Sequence, residues 1–187
     1  MKEIKIQVPN GKSVEWVNGV LTLVDDTPKD NRPVTERIKT FHDAYCALGN
    51  DHPFVVSYEK YVNAASGEEA DVIAFLQLRI IAAALNEGWE PQFTTDEYRY
   101  YPWFTLWTEE ELAQKSEAWK KEHSLWLFGG VSADGANCGL AAASSYYAWS
   151  YSSASVSARL AVKSEELAVY FGKQFIEIWA GYVLIKR

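Results

Sequence analysis

The chain has little of what usually announces a function. Its two cysteines among 187 residues, Cys46 and Cys138, are too few for a disulfide framework and lack the spacing of a zinc site. There are three histidines, His42, His52 and His123. No run of lysine and arginine offsets a formal net charge of −7, which argues against a bare phosphate backbone or an anionic membrane surface as partner. No apolar run is long enough to span a bilayer: the best stretch, "VIAFLQLRIIAAAL", is short and holds Gln77 and Arg79. The opening "MKEIKIQVPNGKS" has no apolar core of a secretory leader. These absences predict a soluble protein made in the cytoplasm, with no membrane insertion, no nucleic acid and no leader of its own.

What is present is ordinary globular material with an aromatic excess. Hydrophobic residues at 48% and charged residues at 23% are enough for one well-buried core over residues 1–187. "KEIKIQV" alternates as a strand does, and Asn18-Gly19 between two alternating runs signals a hairpin with a type I′ turn. Thr35 is placed to cap a helix over 36–48 with Ile38, Phe41, Tyr45 and Leu48 on one face and Gly49 at its end. Ser66 and Glu69 form a capping-box pattern ahead of a helix closing at Gly88, apolar around most of its circumference and therefore the buried central helix. "DEYRYYPWFTLW" reads as extended, and Thr108 with Glu111 opens a polar helix to about Lys121. "SLWLFGG" and "ARLAV" read as strands, Ser164 caps a helix to about Trp179, and "YVLI" closes the chain as a strand. Strands and helices without regular alternation predict an α+β fold, with N-terminal strands over 1–34, a helical part over 35–95 and a mixed half over 96–187.

One further absence is local. From Gly129 to Ala158 there is no Lys, Arg or Glu, and Asp134 is the sole charge; Ser and Ala supply eight residues each. Within this stretch "SSYYAWSYSSAS" interleaves tyrosine and tryptophan with small hydroxyl residues. That is the chemistry of a binding face. Rigid aromatic rings give contact area at little rotamer cost, while Ser and Asn give adaptable hydrogen bonds. Lys and Glu are avoided at interface centres. The candidate ligand-binding residues are Asn137, Ser145, Tyr146, Tyr147, Trp149, Tyr151 and Ser153. "GLAAAS" reads as small residues packed in a buried strand, and the competing reading of "SSYYAWSYSSAS" is a tightly packed long loop with internally satisfied hydroxyls; residues 144–155 are expected to be mostly loop or irregular strand.

Catalytic and metal readings are weaker. Nothing in the spacing brings His123 and Cys138 together as base and nucleophile. "DGAN" over 134–137 has one carboxylate, too few for calcium, and makes a turn as readily. Glu109–Glu111 sit where negative charge meets a helix N-terminus, and Gly129-Gly130 lacks the residues of a phosphate loop. "YRYYPWFTLW" is read as a core-and-rim aromatic cluster, and Arg159 as a residue that either snorkels outward or fixes loop carbonyls, the second reading being favoured. No enzyme, metal or cofactor is expected.

"SSYYAWSYSSASVSARLAVKS" resembles the variable segment of C-type-lectin-like proteins diversified by retroelements, where adenine-directed mutation of Asn-type codons favours Tyr, Ser, Asn, Asp, Ala and Gly. The hairpin, "YYPWF", this stretch and "ARLAVKSEELAVYFGKQFIEIW" together are similar to an uncharacterised family of lectin-like proteins from gut Bacteroides and their phages. The resemblance implies a C-type-lectin-like fold with residues 129–158 as the display stretch. It also implies a non-enzymatic role: a virion-borne protein that contacts a protein or glycan ligand on a cell surface. The chain departs from the pattern in three ways. Sequence continues well past the segment, the calcium-binding triplet of animal lectins is missing, and so are their disulfides. A second reading stays open, a structural or assembly subunit of a phage particle with the same surface as a fixed interface; either reading is compatible with an oligomer.

Overall fold

The computed structural model describes residues 7–9, 12–17, 19–25, 30–64, 69–92, 97–123, 126–127, 139–149 and 158–184. Residues 17, 25, 109, 126–127, 139–149 and 158 are described by their backbone alone. The chain divides into two compact units, Met1–Arg32 and Pro33–Arg187.

In the first unit β1 (Lys12–Val17) pairs antiparallel with β2 (Val20–Asp25), Val17 opposite Val20. Gly19 has φ 81°, in the left-handed region that a two-residue hairpin turn needs and that glycine reaches without steric cost. The register places Val14, Trp16, Leu21 and Leu23 on one face, and Trp16 is 71% exposed. The strand expected before the hairpin falls mostly outside the described residues, and Gln7–Pro9 have no regular structure.

The second unit begins with α1 (Val34–Arg37) and α2 (Phe41–Leu48). The single helix expected over 36–48 is broken because Thr40, not Thr35, makes the cap. The Thr40 hydroxyl accepts from the Asp43 N–H at 3.1 Å, and the Asp43 carboxylate accepts from the Thr40 N–H at 2.8 Å. Ile38 in the break is buried, and Gly49 ends α2 as expected. Next comes α3 (Pro53–Ala64), a helix the pattern did not betray, with proline in the first position, where a missing N–H costs nothing. Ser66 lies outside the described residues. The following helix, α4 (Ala70–Asn86), starts after Glu69 with no side-chain cap bond. It is the central helix anticipated: Leu78, Ile80, Ile81 and Leu85 are fully buried.

The aromatic run forms β3 (Tyr98–Trp107). The Thr108–Glu111 capping box is present, but it opens only α5 (Glu109–Ala113); Ser116 accepts from the Trp119 N–H and caps a separate α6 (Glu117–Glu122). Then come β4 (Trp126–Leu127), β5 (Gly139–Trp149), a 3-10 turn at Ala158–Leu160, α7 (Glu165–Gln174) and α8 (Ile176–Val183). Ser164 caps α7 as expected, but the helix expected to run to Trp179 breaks at Phe175, whose ring is buried against Phe171.

Two predicted strands are not strands. "ARLAV" makes the 3-10 turn and a single bridge from Val162 to Tyr100, because Leu160, Ala161 and Val162 are consecutively buried rather than alternating. Tyr182 and Val183 of "YVLI" finish α8, where Val183 packs against the core and Leu184 is buried just beyond. The fold is α+β. An antiparallel sheet in the order β3-β5-β4 packs on α7 and α8, α4 packs on α8 and α7, and α2 and α3 pack on α4.

Candidate functional site

The anomalous stretch enters the sheet as its middle strand. β5 pairs with all of β3, from Tyr98 opposite Trp149 to Trp107 opposite Gly139, and with β4 on its other edge. The register shifts by one between Trp103 and Phe104: Trp103 partners Ser144 and Phe104 partners Ala142. Ala143 is therefore the extra residue of a β-bulge, a device that bends a strand and raises its twist.

Of the seven candidate residues, four lie in this strand. Ser145 partners Pro102, Tyr146 partners Tyr101, Tyr147 partners Tyr100 and Trp149 partners Tyr98. The expectation that residues 144–155 are mostly loop or irregular strand is corrected for 144–149, which form regular strand beyond the bulge. The reason is tertiary: a Ser/Tyr/Ala run has no strong pattern of its own, and β3 supplies the ladder for 144–149, while β4 pairs only with Gly139 and Leu140. Asn137, Tyr151 and Ser153 lie outside the described residues, as do Cys138 and the turn at 134–137.

β3 shows what each face of the sheet meets. Tyr100, Phe104 and Leu106 pack towards the helices, with Phe104 at 5.2 Å from Trp179. On the other face Arg99 and Tyr101 are each 2% exposed, whereas Trp103 is 51% exposed. The Tyr101 hydroxyl finds no hydrogen-bond partner among the described residues, and burial pushes its pKa up, against the opposing pull of Arg99. The run therefore has core members such as Tyr101 and rim members such as Trp103, which a sequence pattern cannot tell apart.

At the far end of β3 a cluster closes on itself. Trp107 meets Trp119 edge-on at 5.1 Å, Trp119 stacks on His123 at 4.2 Å, and the Lys115 ammonium lies 4.8 Å and 5.0 Å from the two indole centroids. These contacts tie α5 and α6 to the sheet. The His123 Nδ1 lies 2.9 Å from the Trp119 carbonyl, at the end of α6.

The C-terminal end of the stretch is clamped. The Val162 N–H donates to the Tyr100 carbonyl at 3.0 Å, and the Tyr100 N–H returns a bond at 3.2 Å. From the other side Asn86, 5% exposed at the end of α4, donates through Nδ2 to the Ala161 carbonyl at 2.8 Å and accepts from the Lys163 N–H at 3.1 Å. Lys163 adds an ion pair to Glu87 at 3.0 Å. Sequence reading used this part of α4 only to end a helix; nothing near Asn86 in the chain signals a partner 75 residues away. Arg159, read as either snorkelling outward or fixing loop carbonyls, is exposed on the 3-10 turn.

Among the described residues no three His, Cys, Asp or Glu come together as metal ligands, and no helix is long and apolar enough to cross a membrane. No family model, curated protein or solved structure matches the chain.

Proposed function

We propose that the protein is a non-enzymatic ligand-binding protein of C-type-lectin-like type that presents residues 129–158 to a protein or glycan on a cell surface, in the setting of a gut Bacteroides phage particle. The observation that carries this reading is the anchoring of the uncharged stretch on both sides. Its middle portion is the central strand β5, and the residues just after it are fastened by the Asn86 clamp and the Tyr100–Val162 bridge. Residues 150–157, which hold Tyr151 and Ser153, run between these two fixed points. A paratope needs this arrangement, with contact residues supported by rigid elements so that little ordering is left for binding. Trp103, exposed on the neighbouring strand, supplies an aromatic surface beside Ser144.

The test is a glycan array and cell-surface binding screen with the full chain, repeated with Tyr146→Ser, whose register position shares the sheet face of the exposed Trp103, and Tyr151→Ser. Saturable binding that falls about tenfold or more in the variants supports the reading, because aromatic anchors carry much of interface energy. Unchanged binding in both variants refutes it.

The first unit favours a second reading, an assembly subunit. Trp16, Leu21 and Leu23 form an exposed apolar face on a two-stranded hairpin, a structure of marginal stability alone. Self-association lost on Trp16→Ser supports that reading; a monomer throughout contradicts it.

A further inference from the structure

A cavity of about 490 Å³ opens beside the C-terminal end of α4, lined by apolar groups that include Phe54, Trp89, Pro91 and Leu48. Its size is that of a small-molecule site. Two cationic side chains belong to its surroundings. Arg159 lines it. Arg79 lies on the same stripe of α4 as the lining residues Ala83 and Asn86, at positions i, i+4 and i+7. The Arg79 guanidinium sits 4.1 Å from the ring centroid of Phe54 and 5.9 Å from that of Phe75. It makes no hydrogen bond or ion pair among the described residues, and its Nε is buried without a partner.

A charge partly removed from water needs compensation. Ring faces supply part of it for Arg79, while the like charge of Arg159 acts against it. His52 adds a donor: its Nδ1 accepts from the Phe54 N–H at 3.2 Å, which leaves the ring proton on Nε2. Glu90 also lines the cavity and opposes a doubly charged guest.

We propose that this cavity binds a small organic monoanion, a flat aromatic ring bearing one carboxylate. The ring packs against Trp89 and Phe54. Arg159 and the His52 Nε2–H hydrogen-bond the carboxylate, and Arg79, stacked on Phe54, contributes the compensating field. Guanidinium suits this task because its fork matches a carboxylate and its charge persists at any working pH. The lining residues lie outside 129–158 in the chain, and the test does not depend on the proposed function.

The experiment is calorimetric titration of the full chain with 1-naphthoate, 1-naphthamide and 1-naphthylmethylamine. We expect saturable 1-naphthoate binding at or below about 1 mM, and at least about tenfold weaker binding of the neutral amide and the amine. Arg159→Gln, with circular dichroism that of the folded protein, should weaken 1-naphthoate about tenfold. Ala83→Phe, which fills the cavity, should abolish binding while circular dichroism stays that of the folded protein. No saturable 1-naphthoate binding, equal affinity for the amide, or full affinity in folded Arg159→Gln overturns the proposal.

Discussion

Replacing Asn86 by alanine tests the clamp on which the binding reading rests. The amide orientation is set by its partners, since a carbonyl faces Nδ2 and an N–H faces Oδ1. Truncation removes both bonds and leaves two main-chain groups, the Ala161 carbonyl and the Lys163 N–H, without that partner. Ala161 is 1% exposed, so its carbonyl has no ready access to water. The buried Ala161 carbonyl left unsatisfied costs about 1–3 kcal/mol, and the Lys163 N–H, on an exposed residue that water can reach, adds at most about 1 kcal/mol, so N86A should lose about 1–4 kcal/mol. The assay is urea denaturation at neutral pH followed by tryptophan fluorescence and circular dichroism, with coincident transitions required before a free energy is extracted. N86D sharpens the test. Its carboxylate still accepts from Lys163 but opposes the Ala161 carbonyl with a second acceptor, so its folded pKa is raised. A raised acid is favoured in its protonated form by folding, so the deficit of N86D should shrink as pH falls from about 7 to about 5. A loss below about 0.5 kcal/mol for N86A, within the range of ordinary surface changes, would show that the Tyr100–Val162 bridge alone holds the segment and that the clamp argument is wrong.

Other perturbations separate scaffold from surface. Phe171→Ala, at a fully buried ring packed on Trp179 and Phe175, should cost about 3–5 kcal/mol by chemical denaturation, whereas Trp103→Ser should shift stability by about 0.5 kcal/mol or less. Thr40→Ala and Thr108→Ala should each lose about 1 kcal/mol of a helix cap. In Thr40→Ala the Asp43 carboxyl pKa, held down first by the Thr40 hydroxyl and then by the Lys39 and Thr40 N–H groups, should rise in an NMR titration. The Lys163 hydrogen bond, with help from Arg37, holds Glu87 below the ordinary carboxylate range, so its contribution is present above the unfolded pKa and lost as pH falls through the folded one. Glu87→Gln should therefore flatten the acid limb of a stability–pH curve, and an unchanged limb would contradict the assignment. Added calcium and added chelator should leave the melting temperature the same; a large rise with calcium would reveal a site, since ligand binding stabilises the native state.

Local signals in the chain were enough for the elements whose cause is local. Asn18-Gly19 specifies a two-residue turn because few residues accept its backbone angles. Thr108–Glu111 and Ser164 specify helix starts because their side chains reach N–H groups only three residues away. The near-continuous apolar circumference of residues 70–86 marks a helix surrounded by protein, and this is where α4 lies. What needed the third dimension was everything set by partners distant in sequence. "ARLAV" has strand composition, but Asn86 and Tyr100 capture its backbone from two sides and hold it as a turn and a bridge. "SSYYAWS" has no strand pattern, yet its first six residues, Ser144–Trp149, belong to a strand because β3 pairs with them. Trp103 and Tyr101 are both aromatic members of one strand face. That one is exposed and the other buried follows from which segments cover each position, a property of packing that no residue carries in its own chemistry.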